Sequence, residues 1–434
     1  MRMLRLDGSF KKTLSEQLES SAKNHFVDYT IHASIFDKYH VDELNFLYEN
    51  GISSFKIYMN LGLQLNRIHM DLSPGEYNLR DGEVNMEYDT VYSLIKKGSE
   101  RDGVILVHAE DINICSSNIG QLTELKKNHQ QKTVLHSNIH KDTDSEKGNF
   151  NNDSDNSHNN YSEPLKILIK EDTFRHLDEN TFNENPLQLW SDCRPPYSES
   201  RCIEKISQTA RDFGANIYYV HIGSSDALDA IIREREKGKC NLFIETCPQY
   251  LTHDFSFNNL RGKVVPPLRS KFDVQSIWYA LRNGMIDTVG TDHVANRLEL
   301  KLGGENHDDL LKSLSGFPGM ATMLPVLLSQ GVNKKRIDLL RVSELCSYNT
   351  SRIFNMYPRK GTIAEGSDAD LTIIDLDLEK NVTPELLQSY SDYTIYDGWN
   401  MKGWPIMTIV RGKIVMENGY VEESLLGHGK FVSR

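Results

Sequence analysis

The sequence predicts an α/β fold of the barrel type with a small β part after residue 361 or so. Three observations predict it. Short β-branched or aromatic runs recur along the chain, amphipathic helical stretches lie between several of them, and from about residue 361 the strands continue without helices between them. Repeated β-then-α units build a parallel sheet with helices outside it, and this many units suggests a barrel.

The runs are VDYTIHAS (27–34), GISSFKIYM (51–59), GVILVHAE (103–110), NIYYVHIGS (216–224), NLFIETCPQYL (241–251) and DTVGTDH (287–293). ESRCIEKISQTARDFG (199–214) and SDALDAIIREREKG (225–238) read as helices with one apolar face. After 361, GTIAEGSDADLTIID and MTIVRGKIVMENGYV read as strands separated by Gly and Asp turns, with no helix between them. The division is therefore a barrel over 1–360, interrupted at about 128–162, and a β segment with its tail over 361–434. The interruption, rich in Asn, Asp, Ser and His, lacks apolar periodicity and reads as a disordered surface insertion. Its histidines (129, 136, 140 and 158) are better explained by low-complexity drift than by metal binding.

Composition narrows the class. The chain has 434 residues, 38% hydrophobic and 25% charged, which supplies a core and excludes a wholly disordered or fibrous protein. A formal net charge of −12 argues against a general nucleic-acid binder, which needs a basic surface for phosphate. No apolar run approaches the roughly 18 residues that span a bilayer, so no membrane partner is expected. The start, MRMLRLDGSFKKTL, is basic without an apolar h-region, so no secretory signal is read there. Six scattered cysteines without a C-x-x-C pair suit reduced thiols and a cytoplasmic location.

The polar residues near the ends of the runs carry the chemistry: Lys56, His108, His221, Glu245 and Asp292. In a βα barrel, catalytic groups sit at the carboxyl ends of the strands. Strict alternation sets Lys56 on one face with Ser54 and Tyr58, His108 with Val104 and Leu106, and His221 with Ile217 and Tyr219. Neutral imidazoles and a carboxylate suit zinc or a similar ion. A lysine joins such a set if its neutral amine has captured carbon dioxide as an anionic carbamate able to bridge two metals. A metal-bound water of lowered pKa then supplies hydroxide, and Asp292 shuttles its proton. A single strand-end histidine is more often a hydrogen-bonded core residue; four such ends in chain order are harder to dismiss.

These segments resemble the cyclic-amide hydrolases of the amidohydrolase superfamily: dihydropyrimidinase and hydantoinase, with allantoinase and dihydroorotase as cousins. The resemblance covers about 27–124 and 187–434. GISSFKIYM looks like the segment of the carboxylated lysine, LVHAEDI and YYVHIGSSDAL like those of single metal-ligand histidines, and VGTDH like that of the catalytic aspartate. ETCPQYL, VVPPLRS, SGFPGM, YPRKGTIAEGSDADLTIID and YDGWNMKGWP are similar to further landmarks, and Gln249 favours the hydantoinase branch over allantoinase. The resemblance implies a (β/α)8 metal-dependent hydrolase barrel with a β-sandwich, usually a homotetramer. It also implies two zinc-like ions and hydrolytic opening of a dihydropyrimidine or hydantoin ring. By the same likeness the metal ligands are Lys56 (as carbamate), His108, His221 and Asp292, with Asp292 catalytic and Val265 and Ser315 binding substrate.

Three departures matter. The family's first strand carries His-x-His, and this sequence has none; His25 and His32 lie in or beside the run that resembles the third strand. The expectation is an N-terminally truncated barrel of about six strands, in which one ion is lost. Leu61 stands where the branch usually has an oxyanion-binding tyrosine, and Val265 where a serine is common, so substrate identity stays open. The alternatives are a catalytically impaired binding or scaffold relative, or an allantoinase- or dihydroorotase-type activity. Deleting residues 128–162 is expected to leave the melting temperature unchanged; a large drop would show that the segment packs.

Overall fold

The computed structural model describes residues 9–60, 67–68, 80–81, 86–139, 185–304 and 309–434. Leu61 and residues 140–162 lie outside them. One compact unit comprises Met1–Ser116 with Asn185–Arg434, and Ser117–Glu184 form another. All sheets discussed below belong to the first.

Six strands form a parallel sheet in chain order: β1 (Ala33–Ser34), β2 (Ser54–Tyr58), β3 (Val104–His108), β4 (Asn216–Tyr219), β5 (Asn241–Thr246) and β6 (Thr288–Val289). Each expected run contributes one strand. Two are shorter for a physical reason. In the first run only Ala33–Ser34 joins the sheet, because Tyr29 pairs instead with the C-terminal tail: its N–H donates to the Lys430 carbonyl and its carbonyl accepts from the Val432 N–H. In the fifth, Pro248 lacks the N–H a ladder requires, and Pro248–Thr252 turns into a short helix. A separate two-residue pairing joins Arg67–Ile68 to Arg80–Asp81.

The helices lie as the apolar periodicity requires. α1 (Phe10–Asn24) buries Phe10 and Leu14, and α2 (Tyr88–Ser99) buries Val91, Leu94 and Ile95. α3 (Ile112–Ile139) continues through the first dozen residues of the Asn/Asp/Ser-rich stretch. α4 (Pro196–Phe213) buries Cys202, Ile203, Ile206 and Ala210, and ends at Gly214, whose φ of 64° suits a residue without Cβ. α5 (Ser225–Glu236) starts on Ser224, whose hydroxyl accepts from the Ala227 N–H. α6 (Lys271–Arg282) opens with a reciprocal Ser270–Asp273 capping box.

Packing separates the two faces of the sheet. Phe55, Ile57, Ile105, Val107, Ile217 and Tyr219 belong to the core shared with the helices. Val104, Leu106, Tyr218 and Val220 pack on the opposite face with Phe354. Past residue 361 the chain forms a four-stranded antiparallel sheet: β7 (Leu371–Asn381), β8 (Asn400–Val410), β9 (Lys413–Glu417) and β10 (Tyr420–Val421), in spatial order β10-β9-β8-β7. A second apolar cluster joins Met401, Trp404, Tyr396 and Val382 to Tyr250, Val264 and Phe317. Among the described residues no helix is long and apolar enough to cross a membrane.

His253 sits in this seam. Its ring stacks on Trp399, meets Phe257 and Tyr396 edge-on, and donates from Nε2 to the Ile395 carbonyl at 3.2 Å. Burial drives its pKa down to about 4, against the pull of the Ile395 carbonyl. The unfolded chain therefore binds a proton below about pH 6.5 that the folded chain refuses until about pH 4, so stability falls as pH falls through that window. The melting temperature is expected to drop across it, and His253→Gln to reduce the slope; an unchanged slope would remove His253 as its source.

Candidate active site

Parallel register sets the depth of each side chain. Tyr58 pairs with His108, the last residue of β3, whereas Lys56 pairs with Leu106 and so lies two residues deeper. Lys56 and His108 occupy the face shared by Leu106 and Tyr218, as alternation predicts. His221 does not follow alternation. Ile217 and Tyr219, its expected companions, face the helices. The strand ends at Tyr219, and His221 adopts a left-handed φ of 47°, which turns its ring to within 4.5 Å (centroid to centroid) of the His108 ring. Asp292 shares this conformation, with a φ of 45°, three residues past β6. Such backbone is unusual outside glycine and clusters where a site demands it.

Glu245 and two glycines hold these turns. The His221 N–H donates to Glu245 Oε1 at 3.2 Å, and the Tyr218 hydroxyl donates to Oε2 at 2.9 Å. A Cβ on Gly290 would stand 2.3 Å from Glu245 Oε2, so only glycine lets the Asp292 segment lie against that carboxylate. Gly223 similarly leaves room for the Tyr250 ring, which a Cβ would meet at 2.2 Å.

His108 is aimed by a buried carboxylate. Its Nε2 lies 2.5 Å from Glu110 Oε2, and Arg194 grips Glu110 bidentately, Nε to Oε1 at 3.0 Å and Nη2 to Oε2 at 2.7 Å. Burial alone would raise the Glu110 pKa, but Arg194 and His108 bring it down to about 2. Burial also lowers His108 to about 4, opposed by Glu110, so the ring is neutral. Nε2 then carries the proton toward Glu110, and Nδ1 keeps its lone pair. Burial, with His108 and Lys56 nearby, lowers His221 well below the usual histidine range, and its buried Nδ1 has no hydrogen-bond partner among the described residues.

Lys56 is buried, and its Nζ makes no hydrogen bond or ion pair among the described residues; it lies 5.0 Å from the Tyr58 ring centre. Burial lowers its pKa, while Asp292 and Glu245 push it back up. Asp292 is exposed by surface area yet ringed by protein, as a group in a concave mouth is. Its surroundings raise its carboxyl, with Lys56 opposing, and solvent access moderates that shift.

An unpartnered imidazole Nδ1, a second with its lone pair directed by Glu110, and a partly neutral buried amine fit a zinc-like ion with a lysine carbamate. Among the described residues, the one set of three His, Cys, Asp or Glu ligand atoms all within 4.8 Å is instead Asp28, Asp368 and Asp370. Lys360 already lies against all three, and Arg411 against Asp28. His32 gives no substitute for His-x-His, since its Nδ1 is 2.7 Å from Ser54 Oγ, at the far end of β2 from Tyr58. Val265 and Ser315 are both half-buried, in irregular backbone.

Sequence reasoning missed Glu110, Arg194 and the bracing part played by Glu245. Glu110 was legible two residues after His108; Arg194, far along the chain, carried no local signal.

Comparison with known proteins places the chain beside hydrolases of cyclic amides by likeness of sequence, and beside one such enzyme by likeness of fold. Residues 208–415 match the family described as "Amidohydrolase family". The chain is 35% identical over 244 residues to an L-hydantoinase of Paenarthrobacter aurescens, covering 56% of this chain and 52% of that protein. It is 34% identical over 252 residues to a D-hydantoinase of Geobacillus stearothermophilus, at 56% and 52% coverage. The chain thus spans about half the length of the curated relatives it matches. A crystal structure of dihydropyrimidinase from Brevibacillus agri NCHU1002 superposes with a TM-score of 0.74 at 24% identity, covering 100% of this chain and 78% of that one.

Glu110→Gln is expected to weaken zinc binding by about 10–100-fold, as loss of a carboxylate behind a metal-binding histidine does. Competition with a chromophoric chelator measures it, and unchanged affinity would show that His108 needs no such support.

Proposed function

We propose, from the premise that this chain is an amidohydrolase-family relative of the hydantoinases and dihydropyrimidinases, that it binds and hydrolytically opens a cyclic amide of dihydropyrimidine or hydantoin type. The observation that carries this reading is the meeting of His108 and His221, ring centres 4.5 Å apart, together with a buried lysine that has no ion-pair partner among the described residues. A hydrogen-bonded structural histidine would not leave Nδ1 unpartnered, as His221 does.

His108 and His221 would hold a zinc-like ion with Lys56 as carbamate, and Asp292 beside them. Such an ion supplies Lewis acidity and makes water a nucleophile near neutral pH. The chain's own residues do the rest. Burial keeps part of Lys56 neutral, the form that captures carbon dioxide. Glu110 and Arg194 hold the His108 ring in one tautomer, and Glu245 holds the His221 turn. Asp292, raised toward neutrality and reachable from solvent, accepts the proton of the attacking water and passes it to the departing ring nitrogen. Backbone groups at Val265 and Ser315 receive the amide. A homotetramer and a cytoplasmic location are further parts of the reading, and a second ion belongs to a chain that carries His-x-His.

The test is ring opening of dihydrouracil or hydantoin, followed by loss of ultraviolet absorbance with zinc and bicarbonate supplied. The 434-residue chain is expected to turn over slowly, because no His-x-His completes a second ion site, and a chain joined to such a strand to turn over robustly. Asp292→Asn in the joined chain is expected to cost about 10²–10⁴-fold in rate. No turnover by the joined chain despite bound metal would sink the hydrolase reading and favour a binding or scaffold role.

A further inference from the structure

Besides Lys56, two lysines are buried with no carboxylate at ion-pair distance among the described residues. Lys301 is 0% exposed and Lys263 4%. Lys301, closing the short helix Leu298–Lys301, donates from Nζ to the carbonyls of Lys263 at 2.6 Å, Leu314 at 2.7 Å and Gly316 at 2.8 Å. Lys263 donates to the carbonyls of Leu310 and Ser313, both at 2.6 Å, with its Nζ 4.3 Å from the Trp190 ring centre. Burial lowers both amines, Lys263 to about 7, but the three carbonyl oxygens around Lys301 Nζ need three N–H donors, which only an ammonium supplies.

The segments so joined are 263–265 and 310–316. Backbone bonds reinforce them: Gly316 N–H donates to the Lys263 carbonyl at 3.0 Å, Leu314 N–H to the Lys301 carbonyl at 2.8 Å, and Trp190 Nε1 to the Val264 carbonyl at 2.9 Å. Lys301 takes the carbonyls on both sides of Ser315. The peptide N–H and C=O of Ser315 and of Val265 themselves make no hydrogen bond among the described residues. Fixed neighbours around free peptide groups form a pair of donor–acceptor edges, the complement of a cyclic amide's own N–H and C=O.

We infer that Lys301, with Lys263, is a positioning residue for substrate recognition: the two ammoniums hold the Val265 and Ser315 peptide groups at a set separation and orientation. This rests on the cyclic-amide reading above. An ammonium is required because three tetrahedral donors reach three converging carbonyls, which a planar guanidinium does not match. Removing it leaves the Leu314 oxygen without a donor among the described residues and the Gly316 oxygen with only the Tyr393 hydroxyl at 3.5 Å, while the Lys263 oxygen keeps the Gly316 N–H.

The test is calorimetric binding of dihydrouracil and hydantoin to the zinc-loaded chain, with hydrogen exchange of the 310–317 amides. Lys301→Met is expected to weaken binding about tenfold and speed exchange there, with zinc content unchanged, the mark of lost ground-state contacts. Lys301→Arg is expected not to restore affinity. Lys263→Met, which strips two carbonyls where Lys301→Met strips three, is the second variant should the first not fold. Wild-type affinity in a folded variant, or loss of zinc in step with loss of binding, would overturn the positioning role. If the unaltered chain binds neither compound, the cyclic-amide reading itself fails and the recognition role with it.

Discussion

The Glu110 carboxylate, fully buried between Arg194 and His108, is the interaction on which the rest of the site depends. A charge taken out of water is tolerated only with a well-placed partner, and Arg194 supplies a bidentate one. That pairing keeps Glu110 ionised, which makes it a pure acceptor and leaves His108 one tautomer. The chemistry offered by the ring therefore follows from an arginine that touches neither Lys56 nor His221.

The same ordering extends from Arg194 along the ends of the strands. Its carbonyl accepts from Arg269 Nη1 at 2.6 Å; Arg269 Nη2 donates to Glu199 Oε1 at 2.6 Å; and Ser224 Oγ donates to that same oxygen at 3.1 Å. Ser224 caps α5 three residues after His221, and Ser225 is held by Asp273 of the α6 capping box. Segments after three strands, β3, β4 and β5, are thus tied into one buried hydrogen-bonded layer. Rigid support of this kind is what left-handed backbone at His221 and Asp292 requires, since neither conformation is favourable by itself.

Much of this was legible along the chain. Six β-branched runs became six parallel strands, and the apolar spacing of Cys202, Ile203, Ile206 and Ala210 marked the buried face of a helix. Lys56 and His108 follow from strict alternation, because within a strand the side-chain period is two. His221 meets His108, but not by the alternation that pointed to it. Alternation would have sent it toward the helices with Tyr219, and a single positive φ past the strand end reverses it.

The sequence by itself determined the elements, their order and the chemical types at the strand ends, because periodicity and residue chemistry are local properties. Tertiary structure decided which groups meet. Arg194 reaches Glu110 across 84 positions, and Lys301 reaches Lys263 across 38, contacts with no local period to betray them. It also decided protonation, since burial and neighbouring charge act through space: the same imidazole is a surface base in one place and a neutral, lone-pair donor in this one.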